Sequence, residues 1–243
     1  MNFEHTEERR MLADSLNRFI AERYGFETRN KIAGSSEGYS PEMWNHFAEL
    51  GAIGVLMREE DGGFGGAGFD IAVIFEALGR GLVLEPLLAS AVLAGEAIAV
   101  AGNEAQRGLL AEIADGSTIA SFAHDEPETH YELARVGLTA KREGEGWVLN
   151  GTKSVVPQGG QAKVFVVSAR TAGAIDDESG ISLFLVPFDT AGLTIRSTPT
   201  IDGGHVAELS FADARLGADA LLGVEGGGFA TVERVVGRGM LAL

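Results

Sequence analysis

Gly146-Trp147-Val148-Leu149-Asn150-Gly151-Thr152-Lys153-Ser154-Val155-Val156-Pro157 is the stretch whose reading decides the fold. Gly146–Asn150 is strand-like, and Asn150-Gly151 is a strong two-residue turn signal, so a hairpin is predicted here. Outward from it lie more short strand-like runs: Ile119–Ala123, Val136–Lys141, Val164–Ala169, Ile181–Pro187, Leu193–Ser197 and Ala207–Phe211. Turn signals separate them. Strands of this length and spacing predict a small antiparallel β-barrel or sandwich.

Upstream the periodicity is helical. Thr6 is placed to cap a helix that opens with Glu7 and Glu8 and carries Leu12, Leu16, Phe19 and Ile20 on one stripe. Residues 26–39 are polar and predict no regular element. Ser40-Pro41-Glu42 is a second start, with Met43, Phe47 and Leu50 on one face behind it. The run from Asp61 to Gly68 must be a loop. A third helix is predicted from Phe69–Asp70, with Ile71, Ile74, Phe75 and Leu78 on its buried side and Gly79 to Gly81 at its end. Residues 86–101 predict a mostly buried helix, and Asn103 caps another that reaches Ala114. From Gly226 the pattern is helical again through Phe229, Val232, Val235 and Val236. The apolar run up to Leu243 predicts that this helix continues and that a further helical domain follows. Helices, then strands, then a helix make an α+β multidomain chain rather than alternating βαβ units. The predicted boundaries are 1–116 for the helical domain, 117–223 for the β domain and 224–243 for the start of a C-terminal helical domain.

Composition narrows the function. With 45 % hydrophobic residues, the 243-residue chain has material for a core, which argues against disorder. There are 19 basic and 35 acidic residues, a formal net charge of −16, so its surface repels phosphate backbones and general nucleic-acid binding is excluded. A phosphorylated ligand must be held by local amides or a few placed cations. The chain has no cysteine, which removes disulfides and thiolate catalysis and fits a cytoplasmic setting. The stretch Met1 to Glu8 is acidic and lacks the apolar centre of a signal peptide. Leu82–Leu88 and Ala97–Ala101 are too short to cross a bilayer, so no membrane partner is expected. No metal is expected either: Asp176-Asp177-Glu178 reads as a solvated loop, and no HxxxH cluster is present. The glycines of 62–68 lack the strand and lysine of a phosphate-binding loop and read as a structural turn.

Several stretches together resemble the acyl-CoA dehydrogenase family. Gly51-Ala52-Ile53-Gly54, Glu59-Glu60-Asp61-Gly62-Gly63 and Glu76-Ala77-Leu78-Gly79-Arg80 resemble its "GxxG…PEExGG…EELGR" signature in residue type and spacing. Asp125-Glu126-Pro127 resembles its Thr-Glu-Pro segment. Trp147 to Lys153 resembles its "YxINGxK" hairpin, Gly159-Gly160-Gln161-Ala162 its "NGxxA", and Gly226 to Phe229 its "GxGF". The resemblance covers the chain in order. It implies a helical domain, a β domain and a C-terminal four-helix bundle, with FAD between the last two. It also implies α,β-dehydrogenation of an acyl-CoA substrate in lipid metabolism, an electron-transfer flavoprotein or similar acceptor, and a homo- or hetero-oligomer. Ser121 to Pro127 and Ser154 to Gly160 are most similar to the small subunit of bacterial pimeloyl-CoA or steroid side-chain dehydrogenases.

The same resemblance places Phe122, His124 and Asp125 against the flavin, their backbone amides meeting the ring edge. It places Val155, Val156 and Pro157 where the family has Trp-Ile-Thr. Here the stacking ring is replaced by Val155, and the hydroxyl by Pro157, which also lacks an N–H. The family's Gly-Ser falls on His130 and Tyr131. His124 is of a residue type that titrates near neutrality, but a lone histidine on a strand is more often structural. The catalytic base is unassigned: the resemblance implies a glutamate in the C-terminal bundle in most members, and in some a glutamate early in the helix that begins at Gly226, where this chain has Gly239 or a residue near it; Glu225 and Glu233 read as surface acids. Two other readings stand beside the enzyme: a non-catalytic subunit that shapes the binding groove and stabilises a hetero-oligomer, and a plain α+β scaffold.

Overall fold

The computed structural model describes residues 5–243; Met1 to Glu4, the opening of the acidic N-terminal stretch, lie outside the described residues. Helix α1 (Glu7–Arg23) starts where the Thr6 hydroxyl accepts from Arg9 N at 3.3 Å, and it buries Leu16 and Ile20. Helix α2 (Phe26–Ala33) occupies a stretch expected to be irregular. Only Ile32 of it is buried and Phe26 is 80 % exposed, so no apolar stripe marks it in the sequence. In α3 (Pro41–Glu49) the Ser40 hydroxyl caps Met43 N, and Met43, Trp44 and Phe47 are buried. The Trp44 indole donates to Gly116 O at 2.8 Å, tying α3 to the end of the helical region.

The glycine-rich turn precedes α4 (Gly68–Gly81), which packs on α1. The amides of residues 62–66 donate to the carbonyls of Glu59, Arg58, Gly54, Met57 and Val55, so none is left for a phosphate. A Cβ at Gly63 would lie 2.3–2.4 Å from the carbonyls of Met57 and Gly54, which requires glycine. The helix expected over 86–101 begins with wider π turns over Leu88–Ala94 and continues as α5 (Gly95–Ala101). Asn103 and Gln106 form a reciprocal cap at the start of α6 (Glu104–Arg107). Gly108 then separates α6 from α7 (Leu109–Ala114), where one helix was expected.

Eight strands follow: β1 (Ala120–Ala123), β2 (Thr139–Glu143), β3 (Gly146–Pro157), β4 (Val164–Arg170), β5 (Ile181–Pro187), β6 (Leu193–Pro199), β7 (His205–Leu216) and β8 (Leu221–Leu222). Their order is β6-β7-β3-β2-β4-β5-β8, with β1 beside β4. Most pairs are antiparallel, as expected, but β1 runs parallel to β4, and β2 meets β4 in a parallel pairing of Thr139 with Arg170. The core between the strands holds Phe165, Phe184 and Trp147, the last two edge to face at 5.1 Å.

The hairpin expected at Asn150-Gly151 is a correction. β3 runs straight through this dipeptide, and the β2–β3 turn lies at Gly144-Glu145, between the paired Glu143 and Gly146. Asn150-Gly151 instead faces a bulge in β7: between the pairs Leu149–Ala214 and Gly151–Phe211, Ala212 and Asp213 stand opposite Asn150 alone, Asp213 takes φ +51°, and Asn150 exchanges hydrogen bonds with Asp213. Gly151 takes φ +134° within β3, where a Cβ would meet Leu138 Cα at 2.8 Å.

Finally α8 (Phe229–Gly239) buries Val232 and Val235 against Leu88–Ala94 and α5. Two of its arginines clamp the buried Glu96 of α5, Arg234 at 2.6 Å and Arg238 at 3.3 Å.

Candidate functional site

The ends of β1 and β3 lie side by side. Ser154 N donates to Asp125 O at 2.8 Å, and the Ser121 hydroxyl donates to Pro157 O at 2.7 Å. Phe122, His124, Asp125, Val155 and Pro157 thereby line one cavity of about 200 Å³. Leu88 and Leu93 wall it from the π-wound segment, and Val236, Gly239 and Met240 from α8 and its end. Of the six residues that the resemblance singles out, only Val156 does not line this cavity. It is 1 % exposed, and its γ carbon and carbonyl border Gly159. The reason is a second register shift of β3, between Lys153 and Val156, where Val155 adopts φ +51° and stands 58 % exposed. A β-branched residue in the left-handed region is strained, and such strain persists only where the surroundings enforce it. His130 and Tyr131 also have positive φ, and Tyr131 is 88 % exposed.

Behind the cavity lies a buried polar network. The Lys153 ammonium is fully buried and donates to His124 O (2.8 Å), the Glu126 carboxylate (2.7 Å) and the Ser168 hydroxyl (2.9 Å). Glu126 also accepts from Gly137 N and Leu138 N. Ser168 accepts from Lys153, so its own proton is free for His124 Nδ1, 2.8 Å away. Donation there makes Nδ1 the acceptor and leaves the imidazole proton on Nε2. Burial pushes the His124 pKa down to about 3, aided by the Lys153 charge. His124 is therefore a neutral ring near pH 7, in line with the structural reading rather than the titrating one. Its ring stacks on Phe122 at 5.8 Å. Desolvation likewise pushes Lys153 down to about 8, against the pull of Glu126.

Arg170, at the end of β4, is 7 % exposed and donates to the carbonyls of Val136, Asp177, Ser179, Ala134 and Ile175. It ties the segment after Glu126 to the acidic loop 171–180. Replacing Arg170 with glutamine removes a donor fork that no other side chain can fill. Amide hydrogen exchange in residues 175–180 will then speed up by about tenfold or more, a local loss of about 1.4 kcal/mol. Unchanged protection would refute that role.

The network residues went unnoticed in the sequence for different reasons. Lys153 ends the Trp147 to Lys153 motif and Glu126 lies in Asp125-Glu126-Pro127, yet nothing in the pattern shows that they meet. Ser168 and Arg170 are polar residues in an otherwise apolar strand, which was their only signal. The surface acids behave as expected: Glu225 pairs with Arg142 at 3.0 Å, and Glu233 is exposed. Gly239 faces the cavity, and a Cβ there would meet Leu93 Cδ2 at 2.7 Å, so Leu93 would have to shift for any side chain at this position. Asp125 is the one carboxylate lining the cavity. A larger hollow of about 690 Å³ lies between α6–α7 and the ends of β4, β5 and β7, and none of the singled-out residues lines it. Among the described residues, no helix is long and apolar enough to cross a membrane.

A helical region, a β-sheet region and a closing helix, with a shared cavity at the junction, define a class that comparison with known proteins resolves. Residues 6–117 match the family model "Acyl-CoA dehydrogenase, N-terminal domain", and residues 121–214 match "Acyl-CoA dehydrogenase, middle domain". The chain belongs to the acyl-CoA dehydrogenase family. It is 31 % identical over 204 residues to the human mitochondrial short-chain specific acyl-CoA dehydrogenase, covering 80 % of this chain and 49 % of that protein. It is 30 % identical over 248 residues to acyl-CoA dehydrogenase FadE12 of Mycobacterium tuberculosis, covering 97 % and 63 %. Among solved structures it resembles the ChsE4–ChsE5 complex from Mycobacterium tuberculosis at 25 % identity, with a TM-score of 0.86, over 100 % of this chain and 63 % of that one. The chain thus spans about half to two-thirds of the length of these relatives.

Proposed function

We propose that this chain is an FAD-binding subunit of an acyl-CoA dehydrogenase, built as a helical domain (1–116), a β domain (117–223) and the first part of a C-terminal helical domain (224–243). The observation that carries this reading is the convergence of Phe122, His124 and Asp125 with Val155 and Pro157 on one cavity walled by α8. These residues form the proposed flavin contact, and Val156, buried behind them, is proposed only as its support. The donor set fits such a ring: mostly apolar walls, a neutral imidazole and one carboxyl. When bound, a flavin supplies the two-electron oxidation of the acyl α–β bond. This chain's part is to exclude water with Leu88, Leu93, Phe122 and Val236, and to present backbone donors at the strand ends. No base is assigned in the cavity wall: Gly239 carries no side chain, and Asp125 is given to the flavin contact. The full-length form of this chain, or a second subunit, is the proposed source of the α-proton acceptor, the latter in keeping with the heteromeric complex among its structural neighbours, and an electron-transfer flavoprotein or similar acceptor is the proposed electron acceptor.

A non-catalytic subunit that shapes the groove is the second reading. Val155 and Pro157 favour it, since neither offers a stacking ring or a hydroxyl. The full-length protein, purified alone and with its partner subunit, separates the two. The enzyme reading expects a flavin absorption spectrum that an acyl-CoA thioester bleaches. Flavin that no thioester bleaches supports the groove-shaping subunit. A colourless protein that takes up no added FAD in either state removes the flavin reading.

A further inference from the structure

Asp125 is half-buried at the rim of the cavity, and among the described residues its carboxylate makes no hydrogen bond or ion pair. A carboxyl group held half out of water without a partner is costly as an anion and cheap as the neutral acid. Its charged surroundings are few. His124 on β1 is neutral, and Glu126 in the same segment is taken by Lys153 and two amides. Lys153 on β3 spends its ammonium on His124 O, Glu126 and Ser168. The π-wound segment, α8 and the residues after it face the cavity with Leu88, Leu93, Val236, Gly239, Met240 and Leu243, none of which has a charged side chain.

We propose that Asp125 works as an undissociated carboxylic acid, donating its proton in a hydrogen bond to an acceptor atom of the flavin in this cavity, an inference that rests on the flavin reading. The family pattern has a threonine hydroxyl at this point of the Thr-Glu-Pro segment, a donor that does not titrate. An acid in its place makes ligand binding proton-linked. Burial raises the Asp125 pKa, and the Lys153 charge opposes the rise without reversing it.

The sign follows from linkage. A ligand that needs the protonated carboxyl binds with constant affinity below the carboxyl's pKa and loses about tenfold per pH unit above it. FAD titrated into the full-length protein, with its partner subunit if one is needed, reads this by fluorescence quenching. The range runs from about pH 5 to about pH 7.5, below the Lys153 transition. The wild type is expected to weaken as pH rises. Asp125→Asn keeps a donor and cannot ionise, so its affinity is expected to stay high and flat. Asp125→Ala is expected to be flat and weaker by about fivefold to tenfold. A direct measurement avoids reliance on the variants: the ¹³C carboxyl resonance of Asp125 will titrate at higher pH with FAD bound than without it. Flavin binding that ignores pH, strengthens with it, or slopes equally in Asp125→Asn overturns the inference and leaves the flavin reading intact. A protein that binds no FAD at any pH overturns both.

Discussion

Lys153→Met will destabilise the folded protein by about 3–5 kcal/mol, read as a drop in the midpoint of chemical denaturation. The ammonium is fully buried and satisfies three acceptors at once. Methionine matches the length of the chain but supplies no donor. It leaves the Glu126 carboxylate, 10 % exposed, without its counter-charge, and leaves the Ser168 oxygen and the His124 carbonyl without this donor. The loss is dominated by that stranded anion rather than by the attraction it had enjoyed. Changing Glu126 to leucine as well will recover only part of it, because Gly137 N and Leu138 N then lose their acceptor. The lysine also leaves a mark on the pH profile. Its folded-state pKa, about 8, lies below the roughly 10.4 of an unfolded lysine. Between these values the unfolded chain holds more protons, so this group's contribution to stability rises with pH across that window. The methionine variant lacks the rise. A cost below about 1 kcal/mol for Lys153→Met would contradict the view that this ammonium is the centre of the network.

Acid is the second large expected effect. His124 has a folded-state pKa of about 3, whereas an unfolded histidine titrates near 6.5. Below about pH 6.5 the unfolded chain takes up a proton that the folded ring refuses, so stability falls as pH falls and is lost progressively down to about pH 3. A shift of this size is worth up to about 5 kcal/mol, a third or more of the stability of an ordinary domain. The causes are named in the structure: burial of the ring first, then the Lys153 charge. His124→Phe keeps a ring over Phe122 and removes the titration. Urea midpoints measured between about pH 6.5 and about pH 5, above most carboxylate transitions, isolate the histidine. There the wild type will lose stability relative to the phenylalanine variant, and the difference between their slopes belongs to His124, since the raised carboxyls of Asp125 and Glu85 titrate in both. Equal slopes in the two proteins would mean that His124 is not the acid-sensitive group.

Both effects arise from one small region, which also backs the proposed flavin contact. Acid below pH 6.5 and loss of Lys153 therefore act on the same strand ends that Ser154 and Ser121 hold together. The cavity and its support are energetically coupled through His124, which lines one and is bonded into the other.

Where chain neighbours determine the outcome, the sequence alone was sufficient. The caps at Thr6, Ser40 and Asn103, the amphipathic stripes of α1 and α4, and the change from helix to strand near Ser117 all depend on residues a few positions apart. The family motifs also located the ends of β1 and β3 as a pair. Tertiary structure decided the rest, because it depends on what packs alongside. Asn150-Gly151 stays in the strand, opposite a bulge of β7, rather than turning, because β7 runs beside it. Val156 points inward while Val155 and Pro157 reach the cavity because the register slips between them and Lys153. The buried ammonium, the neutral histidine and the guanidinium of Arg170 owe their states to partners far away in sequence. Local propensity carries no information about such meetings, and burial, which sets the charge each group can keep, exists only once the chain has closed around them.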